Sequence, residues 1–267
     1  MKLHDFFSDL LDKAKKRGVA YTSLDAMKLF AVVNMTADHV GAYFLPDHMG
    51  GYFFPDHLWW RAIGRITFPV WFFLVGYTRS RALPRSLWVF AFLLAALHPL
   101  VGRNILPLNA LVSIILCRFF LNACSDRNLL PKALPLLIIL CVAITPLTNP
   151  LFEYGGLALL YAIFGRMTYL KEKRYFRLLA CSCYLAFVGF QFNWFEFTGM
   201  QALYVMLGTM GVVWWLATFK NTTLLQDWTT ARWKIFITLL SRNTLVYYFA
   251  HRALFQILAR IFIGHTH

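Results

Sequence analysis

The class of fold is indicated by residues 24–45, LDAMKLFAVVNMTADHVGAYFL. This run is mostly apolar, and a helix needs about 20 mostly apolar residues to cross a bilayer. Further runs of the same kind follow along the chain: 59–78, 85–101, 105–121, 133–149, 151–170, 175–193, 197–219 and 243–263. The sequence therefore predicts an all-α, polytopic integral membrane protein with about nine transmembrane helices.

The composition agrees with this class. Of the 267 residues, 59% are apolar and 14% are charged, whereas soluble domains average roughly 45–50% apolar and 25% charged residues. The 26 Lys and Arg residues outnumber the 12 Asp and Glu residues, which gives a net charge of +14. In a soluble protein this excess would point to nucleic acid. In a membrane protein it is typical of cytoplasmic loops, so the predicted partner is the lipid bilayer and no nucleic acid is expected.

The distribution of basic residues predicts the orientation. Basic loops alternate with loops almost free of Lys and Arg, and Arg103 is the one cation well inside a loop of the second kind. The basic side is expected to be cytoplasmic. We therefore predict a multi-pass protein of the bacterial inner (cytoplasmic) membrane with a cytoplasmic N-terminus. The basic loops contain Arg79, Arg81, Arg85, Arg127, Lys132, Lys171, Lys173, Arg174, Arg177, Lys220, Arg232, Lys234 and Arg242.

Residues 1–23 have a different pattern from the rest. They begin MKLHDFFSDLLDKAKKRG, in which apolar residues at helical spacing precede a basic cluster. This pattern predicts an amphipathic helix on the cytoplasmic bilayer surface. A second interfacial segment is predicted at 224–240. Residues 24–267 are then expected to form a single transmembrane domain.

The motifs of several enzyme classes are missing from the sequence. It contains no HExxH, no GxSxG, no P-loop and no GxGxxG after a predicted strand. Metalloproteases, hydrolases with a nucleophile elbow and nucleotide-binding folds therefore lose support. The five cysteines lie in or beside apolar helices and form no CxxC pair, so they are interpreted as packing residues. No metal site is predicted.

Ionisable side chains at membrane depth are costly and mark candidate functional sites. Asp38 and His39 lie in the outer half of the first predicted span, and Arg61 and Arg65 lie at a similar depth in the second. Because Arg61 and Arg65 are four residues apart, they share a helix face and repel unless an anion lies beside them. Asp38 is the nearest candidate counter-ion, and a purely structural ion pair with Arg65 is the alternative. His39 has a side chain suited to act as a general base near neutral pH or to carry an acyl group.

Other polar residues occupy the outer halves of further predicted spans. They are His98, Arg103, Asn104, Glu153 and Tyr154, and His251 lies in the middle of the last span. An imidazole with Arg, Asn and Tyr nearby in a multi-span protein suits acyl transfer.

Several motifs carry a resemblance to a known family. They are Lys28-Leu29-Phe30-Ala31 leading into Asp38-His39, then Gly64-Arg65-x-x-Phe68-Pro69, Asn104-Ile105-Leu106, the segment YGGLALLYAIFGRMTY from Tyr154, and Tyr247-Tyr248-Phe249-Ala250-His251. With these motifs in order from about residue 24 to 258, the chain resembles the TraX family, the membrane acetylases of F-type conjugative pilin. A His on the first helix and an aromatic-x-His on the last are also similar to the wider transmembrane acyltransferase group.

The resemblance implies acetyl-CoA as the donor and the N-terminal amine of a pilin as the acceptor. For a membrane acetyltransferase we predict that His39 is the general base or a transient acyl carrier, that Asp38 tunes it or pairs with Arg65, and that Arg65 stabilises negative charge on the thioester oxygen. The predicted cofactor-binding residues are Arg61, Asn104, Tyr154 and His251. Arg61 would assist Arg65, Asn104 and Tyr154 would position the substrate by hydrogen bonds, and His251 is a candidate for a second acid/base or for the CoA site. The long outer loop 46–58 departs from the family pattern and leaves a glycan hydroxyl open as the acceptor.

The phosphates of acetyl-CoA would need cationic partners. Candidates are Lys171, Lys173, Arg174 and Arg177, although a cytoplasmic position alone also explains them. Two other functions stay open, a small-molecule or proton-coupled transporter and a non-catalytic membrane assembly factor. The transporter has less support, because no pair of Gly- or Pro-broken helices occurs at matching positions in two halves of the chain.

Overall fold

The structure is a computed structural model that describes residues 20–45, 57–78, 82–125, 129–225 and 232–262. Most of the predicted segment 1–23 and of the loop 46–58 lies outside the described residues, as do Arg79, Arg81 and Arg127. The regular secondary structure of the described part is helical apart from one pair of short strands and an isolated β-bridge between Leu108 and Phe152. In chain order the elements are β1 (Tyr21–Thr22), α1 (Ser23–Phe44), α2 (His57–Arg65), α3 (Thr67–Tyr77), α4 (Arg85–Leu100), α5 (Ala110–Ser125), α6 (Leu129–Thr148), α7 (Gly155–Leu170), α8 (Phe176–Trp194), α9 (Gly199–Thr218), β2 (Thr223–Leu225), α10 (Arg232–Arg242) and α11 (Thr244–Phe262).

The predicted all-α class agrees with this element order, and each predicted span contains helix. Among the described residues, Leu130–Thr148 and Gly199–Thr218 are long and apolar enough to cross a membrane by length and composition. Arg85–Leu100 and Ala110–Cys124 are shorter apolar helices. The count of nine spans therefore stays a prediction.

Large apolar side chains cover much of the outside of the helices. Phe92 on α4 is 72% exposed, Ile139 on α6 is 64% exposed, and Trp214 on α9 is 70% exposed. Soluble monomers seldom expose extended apolar surfaces, because water disfavours them. This outward-facing surface is consistent with a protein that lies in lipid.

The prediction of one continuous helix over 59–78 is wrong, because the helix is interrupted at Ile66. α2 ends at Arg65 and α3 begins at Thr67. Pro69 has no N–H to donate to the carbonyl four residues earlier, that of Arg65, and its ring crowds that carbonyl. The interruption thus has a local cause, and it places Arg65 at the end of a helix.

The start of α1 is fixed by a capping box and by a strand pair that the sequence does not predict. The backbone N–H of Asp25 donates to Thr22 Oγ1 over 3.3 Å, and the backbone N–H of Thr22 donates to Asp25 Oδ2 over 3.2 Å. Immediately before the helix, Tyr21 and Thr22 pair in antiparallel fashion with Thr223–Leu225. These strand residues lie at the edge of the predicted interfacial segment 224–240, of which α10 is helical.

The centre of the bundle is α7, against which α3, α5, α6 and α8 pack. Helices α3 and α7 approach closely because glycines lie at their contact. A Cβ atom at Gly76 would lie 1.8 Å from the carbonyl oxygen of Ala162, and one at Gly165 would lie 1.9 Å from that of Phe73. Small residues permit such close approach in helical membrane proteins.

α1 also packs against α2, α3, α10 and α11. This arrangement brings the residues in the outer half of α1 next to α2 on one side and next to the last helix on the other.

Candidate active site

A cavity of about 540 Å³ extends along the inside of α1. Its volume is within the range of about 300–1,000 Å³ for small-molecule sites. Lys28, in the second turn of α1, and Tyr43, in its last turn, both line the cavity. At 1.5 Å per residue these two positions are about 22 Å apart. The cavity therefore follows most of the length of the bundle.

Asp38 is the counter-ion of both arginines of α2. Its Oδ1 lies 3.0 Å from Nη1 of Arg61 and 3.6 Å from Nε of Arg65. The same Nη1 of Arg61 also donates to the backbone carbonyl of Asp38 over 3.3 Å. All three residues line the cavity, and Asp38 and Arg65 are buried. The predicted grouping of these side chains is therefore present in the structure.

The close contact between Asp38 and α2 depends on Gly64. A Cβ atom at this position would lie 2.0 Å from Asp38 Cβ and 2.6 Å from its Cα. Real Cβ atoms do not approach so closely, so a glycine is needed here for α1 and α2 to touch. The backbone contact holds the carboxylate within reach of both arginines.

Arg65 makes further contacts besides the one with Asp38. Its Nη1 donates to the hydroxyl of Tyr154 over 3.0 Å, and its guanidinium lies 4.6 Å from the centre of the Phe195 ring. The Tyr154 ring in turn stacks on Phe68, with ring centres 4.0 Å apart. The planar guanidinium is thus fixed by a carboxylate, a hydroxyl and an aromatic face.

His39 contacts His251 of the last helix. His39 Nδ1 lies 2.7 Å from His251 Nε2, and His251 Nδ1 lies 2.7 Å from the backbone carbonyl oxygen of Tyr247. A carbonyl oxygen only accepts, so His251 Nδ1 carries a hydrogen and, in the neutral ring, Nε2 is the acceptor. His39 then donates from Nδ1, and its own Nε2 keeps a free lone pair.

The two histidines have different positions relative to the cavity. His39 lines it, whereas His251 is absent from its described lining residues and lies behind His39. The rings are nearly parallel, with centres 4.9 Å apart. His251 is therefore placed to orient His39.

A second ion pair, between buried Arg252 and half-buried Glu153, lies beside this group. Arg252 Nη2 is 2.5 Å from Glu153 Oε1, and Arg252 Nη1 is 3.1 Å from Glu153 Oε2. Glu153 Oε2 also accepts from the backbone N–H of Ala110 over 2.8 Å, and Arg252 donates to the Tyr248 hydroxyl. Both members of the pair line the cavity. This bidentate pair links the last helix to the start of α7 and α5.

Only some of the remaining predicted site residues lie at the cavity. Tyr154 and Arg61 line the cavity, and Arg103 lies over the Tyr43 ring at the same end. Asn104 is exposed and is not a lining residue in the described part of the chain. Four cations lie in the loop between α7 and α8 or in the first turn of α8: Lys171, Lys173, Arg174 and Arg177. They are also exposed and away from the described cavity wall.

Three further cations line the cavity without having been predicted as site residues: Lys28, Arg118 and Arg252. Each lies within a predicted apolar span or at its edge, which is a signal that could have identified them. Lys28 was considered only as part of a family motif. No metal-binding cluster of His, Cys, Asp or Glu occurs among the described residues.

A comparison with known protein families matches residues 23–259 to the family described as TraX protein. The chain belongs to the TraX family. No curated protein and no solved structure matches it. The match covers every helix that contributes to the cavity, from α1 to most of α11. Asp38, His39, Arg65, Glu153 and His251 are thus all part of the family region of this TraX protein.

Proposed function

We propose that this TraX protein is a membrane-embedded acetyltransferase that moves an acetyl group from cytoplasmic acetyl-CoA to an acceptor at the outer face. The observation that carries the proposal is the hydrogen-bond chain from Tyr247 through His251 to His39. These hydrogen bonds leave His39 Nε2 with a free lone pair, and His39 lines the cavity. An oriented, unprotonated imidazole beside a small-molecule cavity is the arrangement that general-base catalysis needs.

The chain's own residues supply a base and a site for negative charge. Acetyl-CoA, when bound, supplies an activated thioester carbonyl. His39 takes the proton from the attacking group of the acceptor as that group bonds to the acyl carbon, and returns it to the CoA thiolate as the C–S bond breaks. His251 holds the ring in the required tautomer. Arg65, held by Asp38 and Tyr154, offers N–H groups to the oxygen on which negative charge develops. Arg61 shares the same carboxylate and adds positive charge to this wall.

The charges of the cavity fit an anionic ligand. Among its described lining residues are six Lys and Arg side chains and two carboxylates, Asp38 and Glu153. The cations are Lys28, Arg61, Arg65, Arg103, Arg118 and Arg252. Both carboxylates are already paired with arginines. The net positive wall would stabilise a bound polyanion such as a CoA ester.

The length of the cavity fits a reaction between the two sides of a membrane. The basic loops favour a cytoplasmic start of α1, and we therefore assign Lys28 to the inner end and Tyr43 to the outer end. His39 is eleven residues from Lys28 and only four from Tyr43, so it lies nearer the outer end. The donor would thus enter from the cytoplasm, and the acceptor would approach between Arg103 and Phe195.

The acceptor that family membership favours is the N-terminal amine of a conjugative pilin. Arg103, Trp194 and Phe195 line the outer end of the cavity, and Trp194 is 57% exposed. Aromatic rings there can contact an apolar peptide segment that leaves the bilayer. A glycan hydroxyl is the alternative acceptor, and it would use the same base.

Incubation of the purified protein with acetyl-labelled acetyl-CoA tests the proposal. The acceptor is a synthetic peptide with the pilin N-terminus, and the matched control is the same peptide with a blocked N-terminus. We expect label on the free peptide that depends on His39. Intact acetyl-CoA or free acetate that accumulates inside proteoliposomes, with no label on any acceptor, would instead support the transporter and overturn the proposal.

A further inference from the structure

The inner end of the cavity carries a pair of cations that the mechanism above does not use. Lys28 lies in the second turn of α1, and Arg118 lies in the second half of α5. Other lining residues at this end are Thr78 after α3, Pro84 before α4, and Thr244 at the start of α11. These positions all correspond to the same end of the bundle, and Lys28 is about 16 Å from His39 along α1.

The surroundings leave both cations available to a ligand. The nearest carboxylate along the helix, Asp25, already has other partners. Its Oδ2 accepts a hydrogen bond from the Thr22 hydroxyl over 2.9 Å and lies 3.5 Å from Nη2 of Arg242. Arg118 Nη1 donates to the backbone carbonyl of Ala82, whereas its Nε is buried and has no partner among the described residues. The Arg118 side chain is therefore held in place with a hydrogen-bond donor still free.

Between this inner end and the ionic group around Asp38 the wall is mostly apolar. Its residues there are Met35, Trp71, Leu74, Val75, Leu87, Leu111 and Ile114. Two buried polar atoms interrupt it, Trp71 Nε1 and Thr67 Oγ1, and neither has a hydrogen-bond partner within the described part of the chain. Buried donors without partners are costly, so they point to a ligand with acceptors at this depth.

The cavity thus has a cationic mouth, an apolar middle with two unpaired polar atoms, and a catalytic-type group at the far end. Resting on the proposed function, we infer that Lys28 and Arg118 bind the phosphates of the CoA nucleotide at the inner mouth, while Trp71 and Thr67 face the amide-containing arm. The exposed cations at the turn from α7 to α8, Lys171, Lys173, Arg174 and Arg177, are then not part of the CoA site. Their charge serves the orientation of the chain in the membrane.

Equilibrium binding to the protein in discs of phosphatidylcholine tests this inference. The two ligands are CoA and pantetheine, which has the same arm and no nucleotide. The variant is Lys28→Gln with Arg118→Gln. The matched control is Lys173→Gln with Arg177→Gln, which removes one Lys and one Arg charge from the exposed turn between α7 and α8. A zwitterionic lipid is used because an anionic headgroup could supply phosphate to the same cations.

We expect CoA to bind the Lys28 and Arg118 variant roughly ten- to hundredfold more weakly than the wild type, because charge-assisted hydrogen bonds are lost. Pantetheine binding should be unchanged, which also shows that the variant is folded. The control variant should bind CoA like the wild type.

Two other results would overturn the inference in distinguishable ways. If the wild type binds CoA more tightly than pantetheine and the Lys28 and Arg118 variant keeps this preference, the inference alone is wrong. The same holds if the variant loses affinity only for vesicles of phosphatidylglycerol, since the cations would then bind lipid. If the wild type binds neither CoA nor pantetheine, the proposed function fails together with the inference.

Discussion

His39 and His251 are 212 positions apart in sequence, and their rings are joined by a hydrogen bond of 2.7 Å between Nδ1 and Nε2. The second nitrogen of His251 bonds to the Tyr247 carbonyl of its own helix, one turn earlier. His251 thus lies beside His39 where a carboxylate lies beside the general-base imidazole of many enzymes, and the Tyr247 carbonyl fixes the tautomer of His251. The hydrogen bonds run from His39 to His251 and from His251 to the Tyr247 carbonyl. The free lone pair is therefore on His39, the ring that lines the cavity.

Replacement of His39 by Ala should abolish acetyl transfer with little loss of stability. Loss of a general base costs about 10²–10⁴-fold in rate. The measurement is the turnover of labelled acetyl-CoA with a peptide acceptor, together with the unfolding temperature of the variant in detergent. A folded His39→Ala protein with near wild-type turnover would show that this imidazole is not the base.

His251 should behave as a positioning residue. His251→Gln retains a side-chain oxygen that can accept from His39 Nδ1, whereas His251→Leu does not. We expect kcat to fall further in the Leu variant than in the Gln variant, with KM for acetyl-CoA unchanged in both. Equal kcat in the two variants would mean that the hydrogen bond to His39 does not matter, and a change in KM alone would place His251 in the donor site.

Arg65→Lys should not be a conservative change. The guanidinium contacts Asp38, Tyr154 and the Phe195 ring together, and a lysine ammonium cannot reproduce this planar set of contacts. We expect kcat/KM to fall at least about tenfold, which corresponds to roughly 1.4 kcal/mol. Arg85→Lys, at an exposed position, is the matched control and should retain wild-type kinetics. Equal kinetics for both variants would mean that the Arg65 guanidinium has no part in the reaction and only helps to hold the helices together.

Gly64→Ala should damage both stability and activity. Its Cβ would lie 2.0 Å from Asp38 Cβ, so α1 and α2 must separate and Asp38 must leave the two arginines. Overpacking of this kind costs about 1–3 kcal/mol. Gly189→Ala on α8 is the control, because a Cβ there meets nothing within 4 Å. The unfolding temperature should fall for Gly64→Ala and stay the same or rise for Gly189→Ala, and an equal effect of the two changes would contradict the close contact.

Glu153→Gln should destabilise the bundle, because it leaves the buried Arg252 charge without its partner. Removal of one member of a buried ion pair costs about 3–5 kcal/mol. Gln keeps an oxygen that accepts from the Ala110 N–H, so the loss of stability measures the loss of the Glu153 negative charge and not of this hydrogen bond. The double variant Glu153→Gln with Arg252→Met should unfold at a higher temperature than the Glu153→Gln single variant. A double variant less stable than the single one would argue against this pairing.

Local features of the chain were predictable because they depend on neighbouring residues. The apolar runs predict the helices, since length and hydrophobicity are properties of a continuous segment. The pairing of Asp38 with Arg61 and Arg65 was also within reach, because the two arginines share a face and need one anion. The interruption at Ile66 was missed, although its cause, Pro69, is visible in the sequence.

Contacts between helices that are far apart in the sequence could not be predicted, because they depend on how the helices rotate and pack. The bond from His39 to His251, the bidentate pair of Glu153 with Arg252, and the common cavity of Lys28 and Arg118 each join separate elements. A periodic pattern shows which residues share a helix face but not which neighbour that face meets. The sequence thus supplied the membrane class and most of the polar candidates, while the packing of α1 against α2 and α11 selected those that form one site.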